Sequence, residues 1–197
     1  MAGWTVTLFA LWRAREGGAR WWLLAGAAAG FALLGKYTAA FLAVGGVAVL
    51  LLDPHMRRQL TSPKPYLAVL IAALVFAPAV HWNVANDFAS FRFQTEHRIA
   101  KADLGMHWFL NFTGGQVGLL HPVVALASLV AIAWGLRRAW RGDRQMLWLV
   151  AFSLPLPVYM LCQSLWIQIK PNWVAPAYVG LTMLVVAWWR EVGDELL

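Results

Sequence analysis

The residues with most to offer chemically are cations, aromatics and carboxamides that stand between apolar runs: Lys36-Tyr37, His81-Trp82-Asn83, Phe91-Arg92-Phe93-Gln94, His97-Arg98, His107-Trp108 and Lys170-Pro171-Asn172-Trp173. Lysine and arginine neutralise phosphate, and rings or carboxamides meet a sugar. Gathered at one membrane surface, such groups suit a phosphorylated lipid headgroup. Residue types alone fit equally well a solvated loop edged by interfacial aromatics.

Other chemistries are harder to assemble. Asp87, Glu96 and Asp103 are the acids nearest these groups, all in one stretch with cations close by, so no paired-carboxylate acid/base site emerges and a general base is expected outside this chain. His81, His97, His107 and His121 have no i, i+3 or i, i+4 pairing and no carboxylate at a matching offset, so neither a metal nor another cofactor is expected from them. Gly30, Gly35 and Lys36 have the spacing of a nucleotide phosphate loop, but Tyr37 stands where Ser or Thr is required. Cys162 is the single cysteine and cannot form an internal disulfide. Gly26 and Gly30 make a G-x-x-x-G pair, which lets a second helix approach closely.

The elements that must position these residues are membrane helices. Of 197 residues 61% are hydrophobic and 13% charged, and the mean hydropathy is +0.60; a soluble domain of this length cannot bury so much apolar side chain. The 13 Trp and 10 Phe suit interfacial belts. A net charge of +7 raises nucleic acid as a partner, but the basic residues sit in short clusters between apolar runs and form no continuous face, so that class is excluded.

The spacing of apolar runs predicts an all-α, polytopic transmembrane bundle, read as a single domain over 1–197. Segment 1–12 is a partial helix, shorter than the roughly 20 residues of a crossing. Segments 21–35 and 38–52 form a hairpin, because a lysine at mid-membrane costs about 2.5–3.5 kcal/mol and a turn at Lys36 avoids it. Further crossings are expected at 66–82, 114–136, 145–163 and 174–189, with 83–113 as an outer polar loop. On this arrangement eleven of the sixteen basic residues, among them Arg13, Arg15, Arg20, Arg57, Arg58, Arg137, Arg138 and Arg190, collect on one face, while Lys36, Arg92, Arg98, Lys101 and Lys170 collect on the other. By the positive-inside rule the first face is cytoplasmic.

Three stretches carry a family resemblance: Gly30-Phe31-Ala32-Leu33-Leu34-Gly35-Lys36-Tyr37-Thr38; His81-Trp82-Asn83 leading to Ser90-Phe91-Arg92-Phe93-Gln94 and His97-Arg98; and Asn172-Trp173 with Pro176-Ala177-Tyr178. In order and spacing the chain resembles, from about residue 21 to 189, bacterial members of glycosyltransferase family 39. These are related to the dolichyl-phosphate-mannose protein mannosyltransferases and the lipid A aminoarabinose transferase. The resemblance implies a GT-C-like membrane enzyme that takes a sugar from a polyprenyl-phosphate carrier and transfers it to an acceptor on the non-cytoplasmic side. It also implies residence in a bacterial inner membrane with the polar outer loop facing the periplasm or exterior.

By the same resemblance Lys36 faces the cavity that receives the lipid phosphate, Arg92, His97 and Arg98 lie in an outer loop that helps to close it, and Asn172-Trp173 lie in the last outer turn. The lipid-phosphate or substrate-binding set is therefore Lys36, Tyr37, His81, Asn83, Arg92, Gln94, His97, Arg98, Lys170, Asn172 and Trp173. The family's acidic first outer loop has no counterpart here, so the chain reads as an N-terminally truncated middle and C-terminal portion without its catalytic base. The expected partners are a polyprenyl-phosphate-sugar donor, membrane lipids and the missing N-terminal portion, and the intact enzyme leaves room for a divalent metal. The alternative is a non-catalytic polyprenyl-lipid-binding or accessory membrane protein.

Overall fold

The computed structural model describes residues 1–99 and 104–196, with the side chains at 96–99, 195 and 196 excepted. The described residues are helical throughout their regular structure, in keeping with an all-α membrane protein. They form two compact units where the sequence suggests one domain: Met1–Ala43 with Leu50–Leu104, and Val44–Val49 with Gly105–Leu197.

The first unit holds α1 (Ala2–Ala14), α2 (Ala19–Gly35), a 3-10 turn η1 (Tyr37–Ala40), the flanks of α3 (Phe41–Leu52), α4 (Pro54–Gln59), α5 (Lys64–Ala85) and α6 (Ala89–Ile99). Small residues set its packing. Gly26 of α2 lies against the Ala68 main chain of α5 with no room for a β-carbon, and a β-carbon on Gly30 would come within 2.7 Å of the Ala72 carbonyl and of Val75. Between apolar helices in lipid there is little hydrophobic drive to associate, so this closeness of backbones supplies the dispersion contact that holds them. Asp53 separates α3 from α4. Fully buried, it accepts from the His55 N–H at 3.0 Å to cap α4 and pairs with the Arg15 guanidinium at 2.9 Å, which leaves no buried charge uncompensated.

The second unit holds α7 (Met106–Leu120), α8 (Pro122–Trp140), α9 (Arg144–Ser153), α10 (Pro155–Gln163), the 3-10 turn η2 (Pro171–Ala177) and α11 (Tyr178–Leu196). Ala131, Met146, Val150 and Leu184 form its buried centre, flanked by Trp134, Leu149 and Trp188. At one end Trp134 Nε1 donates to Glu191 at 3.0 Å, and Arg138 joins Glu191 to Asp143, which caps α9 by accepting from the Gln145 and Met146 N–H groups at 3.0 and 3.2 Å.

Two expectations from the sequence are corrected. Segment 114–136 is not one helix: α7 and α8 meet at His121, which adopts φ 67° and ψ 139°. Pro122 bars the preceding residue from helical backbone and lacks an N–H of its own, so it begins a new helix, capped by His121 Nδ1 accepting from Val123 N–H at 3.4 Å. Segment 83–113 is not a loop either, since it contains α6 and the first half of α7; the run Ala89–Ile99 is polar but free of Gly and Pro.

Helices long and apolar enough to cross a membrane are Lys64–Ala85, Pro122–Trp140 and the α9–α10 stretch Arg144–Gln163, with Ala19–Gly35 and Tyr37–Leu52 as shorter apolar helices. Most of α5 presents its side chains outward, Val69 and Leu74 among them at 70% and 63% exposure.

Candidate functional site

Lys36 lies at the break between the apolar helices α2 and α3, where α2 ends and η1 begins. Its backbone is extended, at φ −163° and ψ 128°, its N–H closes α2 on the Ala32 carbonyl at 2.9 Å, and its own carbonyl accepts from Ala39 N–H at 2.9 Å to start η1. The side chain is exposed and has no ion-pair partner among the described residues. Desolvation by nearby apolar atoms nonetheless pushes its ammonium below the ordinary lysine range. A lone cation on a flexible stem, poised at a gap between two apolar helices, is suited to meet a phosphate brought by another molecule.

Tyr37 beside it is pinned on three sides. Phe76 of α5 packs edge-on against its ring at 6.1 Å, Phe91 of α6 lies tilted at 5.4 Å, and its hydroxyl exchanges a hydrogen bond with the Ser90 hydroxyl at 2.7 Å. Asn83 connects α5 to the same place. At 1% exposure its Nδ2 donates to the Ala79 carbonyl at 2.9 Å, while its Oδ1 accepts from the Ser90 and Phe91 N–H groups at 3.2 Å each. Two of the orphan donors at the start of α6 are satisfied in this way. Its carbonyl also receives Phe88 N–H at 2.7 Å, across a turn in which Asp87 and Phe88 hold φ of 50° and 56°.

The structure thus brings Lys36, Tyr37 and Asn83 into one frame, and gives Asn83 a capping task that occupies its whole carboxamide. His81, Arg92 and Gln94 are exposed on α5 and α6. The side chains of His97 and Arg98 lie outside the described residues. Ser90 and Phe76, which sequence reasoning did not assign to the site, prove central to this frame; Ser90 could be suspected only from its place just ahead of the aromatic–basic run.

In the second unit Lys170 likewise has extended backbone, at φ −73° and ψ 129°, and its carbonyl accepts from Trp173 N–H at 3.0 Å to start η2. Lys170 and Asn172 are exposed and Trp173 is half-buried. Gln116 of α7 holds this turn: its Nε2 donates to the Pro171 carbonyl at 2.9 Å, and its Oε1 receives the Tyr178 hydroxyl. Gly115 lies so close to the Pro171 ring that a β-carbon would overlap it. Gln116 and Tyr178 were missed as site-building residues, although a glutamine inside an apolar run is itself a signal, because a carboxamide withdrawn even in part from water must find partners. Among the described residues no three His, Cys, Asp or Glu side chains gather as a metal-holding group.

The family of proteins described as dolichyl-phosphate-mannose-protein mannosyltransferase matches residues 1–82, the stretch that carries Lys36, Tyr37 and Asp53 but ends just before Asn83. Lipid A galacturonosyltransferase RgtD of Rhizobium johnstonii is 32% identical over 169 residues, which is 83% of this chain and 34% of the relative. Both likenesses support a glycosyltransferase of the GT-C type. The chain spans about a third of the length of that curated relative. No solved structure matches. Likeness to membrane glycosyltransferases accords with the apolar helices of this chain.

Proposed function

We propose that this chain is part of a membrane transferase that moves a sugar from a polyprenyl-phosphate-linked donor to an acceptor on the non-cytoplasmic side of a bacterial inner membrane. The observation that carries this reading is Lys36: a cation without an ion-pair partner among the described residues, held at the break between the apolar helices α2 and α3 by a pinned neighbour. When the anomeric carbon parts from the phosphate oxygen, negative charge grows on the departing lipid phosphate, and the Lys36 ammonium stabilises it. The new bond forms to an acceptor hydroxyl, whose proton leaves to a base outside this chain. The exposed Arg92 of the same unit serves this phosphate or its sugar; in the second unit, taken by itself, Lys170 offers a cation, Asn172 a carboxamide and Trp173 a ring face.

The sidedness rests on charge. Arg13, Arg15 and Arg20 stack over Trp21, Trp12 and Trp21 at 5.4, 5.3 and 5.1 Å, an arginine–tryptophan belt of the kind found at a membrane boundary. It supports a cytoplasmic location for that end of the first unit and the opposite location for the Lys36 turn. The relative's name makes lipid A the first acceptor to try and galacturonic acid the first sugar.

The test is sugar transfer in membranes from a radiolabelled polyprenyl-phosphate donor, using the longest open reading frame that contains this chain. The expected result is transfer that falls about tenfold or more in Lys36→Ala. Wild-type turnover in that variant would remove Lys36 from the site. A protein that inserts stably yet transfers no sugar from any of a panel of donors favours the non-catalytic polyprenyl-lipid-binding or accessory role.

A further inference from the structure

The first turn of α6 does not need the Ser90 hydroxyl. The Asn83 carboxamide already accepts from the Ser90 and Phe91 N–H groups, so the helix is capped from α5 and the hydroxyl is available for other work. That hydroxyl is engaged instead by Tyr37, one residue beyond the lysine on which transfer is proposed to depend. The ring itself is confined by Phe76 and Phe91, yet neither contact fixes its rotation or its slide along the apolar surface; a directional bond does. Because Lys36 and Tyr37 share a peptide bond, whatever sets the tyrosine also sets the point from which the lysine stem projects.

We infer that Ser90 is a positioning residue for Lys36: by bonding the Tyr37 hydroxyl it fixes the Lys36 turn against the start of α6, and it touches no substrate. This rests on the reading of Lys36 as the phosphate-facing cation. The expected effect is moderate, since the lysine's four-carbon stem keeps freedom of its own and one neutral hydrogen bond is at stake; about three- to tenfold in kcat/KM for the lipid donor is the range such a bond supports.

The experiment is a double-mutant cycle on sugar transfer in membranes, in the longest chain containing these residues, with Ser90→Ala and Lys36→Ala singly and together. The tyrosine side is probed by Tyr37→Phe, and Ser90→Thr restores a hydroxyl. The inference expects Ser90→Ala and Tyr37→Phe to reduce kcat/KM to a similar degree, Ser90→Thr to recover it, and Ser90→Ala to have little further effect once Lys36 is alanine. Equal fold-losses from Ser90→Ala in both backgrounds overturn it, as does full activity in Ser90→Ala. A merely structural serine lowers the amount and thermal stability of the protein while its specific activity stays coupled to nothing at position 36. If Lys36→Ala alone keeps wild-type turnover, the functional reading fails first, so the two failures are told apart by that single variant.

Discussion

The two lysine turns use one local device and fasten it differently. In each, a lysine in extended backbone precedes a 3-10 helix and accepts from the N–H three residues on, and in each a tyrosine hydroxyl ties the neighbourhood to a polar side chain from another helix. The Lys36 turn has one directional tie, the hydroxyl pair of Tyr37 and Ser90, beside the ring contacts of Phe76 and Phe91. The Lys170 turn is gripped at the main chain of Pro171 by Gln116, which Tyr178 holds in turn, and Gly115 lets the two backbones close without a side chain between them. One tether leaves a segment that can adjust around a substrate; a carboxamide engaged at both ends, over a glycine contact, leaves one that cannot. Segments that must respond to ligands are drawn from the weakly fastened parts of a protein, and by this measure the Lys36 turn is the responsive one.

The largest effect that would break this contrast is steric. Gly115→Val places a branched side chain where the Pro171 ring lies, so a loss of about 3 kcal/mol in stability is expected, read as a fall in the thermal midpoint of the purified protein in detergent. Gly35→Ala, next to the other lysine and with open space around it, should leave that midpoint within a degree or two. Comparable losses at both positions would show the turns to be equally rigid.

A smaller difference is expected from the hydrogen bonds. Gln116→Ala strands the Pro171 carbonyl and the Tyr178 hydroxyl together and should cost about 2 kcal/mol, whereas Tyr37→Phe strands one hydroxyl and should cost about 1 kcal/mol. Thermal unfolding of the two variants side by side orders them, and the reverse order would undo the comparison.

The smallest effect is on pH. Desolvation lowers the Lys36 ammonium, so its positive charge, needed below that pKa, is lost at a lower pH than for an ordinary lysine. The alkaline limb of kcat/KM, which reports the free enzyme, should therefore begin early. Lys36→Arg keeps its charge through this range and should move the limb upward, while Lys170→Arg leaves it in place. A limb that ignores position 36 would assign the titration elsewhere.

How much of this was legible in the sequence depends on which physical signal each part leaves. The break at Lys36 could be read because a lysine between apolar runs has a large cost at mid-membrane, and α2 ends there; the packing partners of α2 could not, since it lies chiefly against α1 and α5. The Gly26–Gly30 spacing announced a close helix partner, though not that the partner is α5. The break at His121 was missed because Pro122 lies in an otherwise unbroken apolar run, where hydropathy outvotes backbone geometry. The helix α6 was missed for the converse reason: its polarity reads as loop, and the cap that stabilises it comes from Asn83, a residue whose carboxamide looks equally fit to bind a sugar. No sequence pattern distinguishes a carboxamide turned to solvent from one spent on two backbone donors. The Gln116–Tyr178 bond, between residues 62 apart, leaves no local trace at all.

The length of α2 carries a mechanical meaning. Its 17 residues rise about 26 Å, less than the roughly 30 Å of hydrocarbon in an ordinary bilayer. A helix of that length set across a bilayer meets the mismatch by thinning the lipid around it or by letting a long cationic side chain at its end reach toward the headgroups. On the function proposed above, either adjustment brings the Lys36 ammonium and the phosphates of the adjoining leaflet toward one depth.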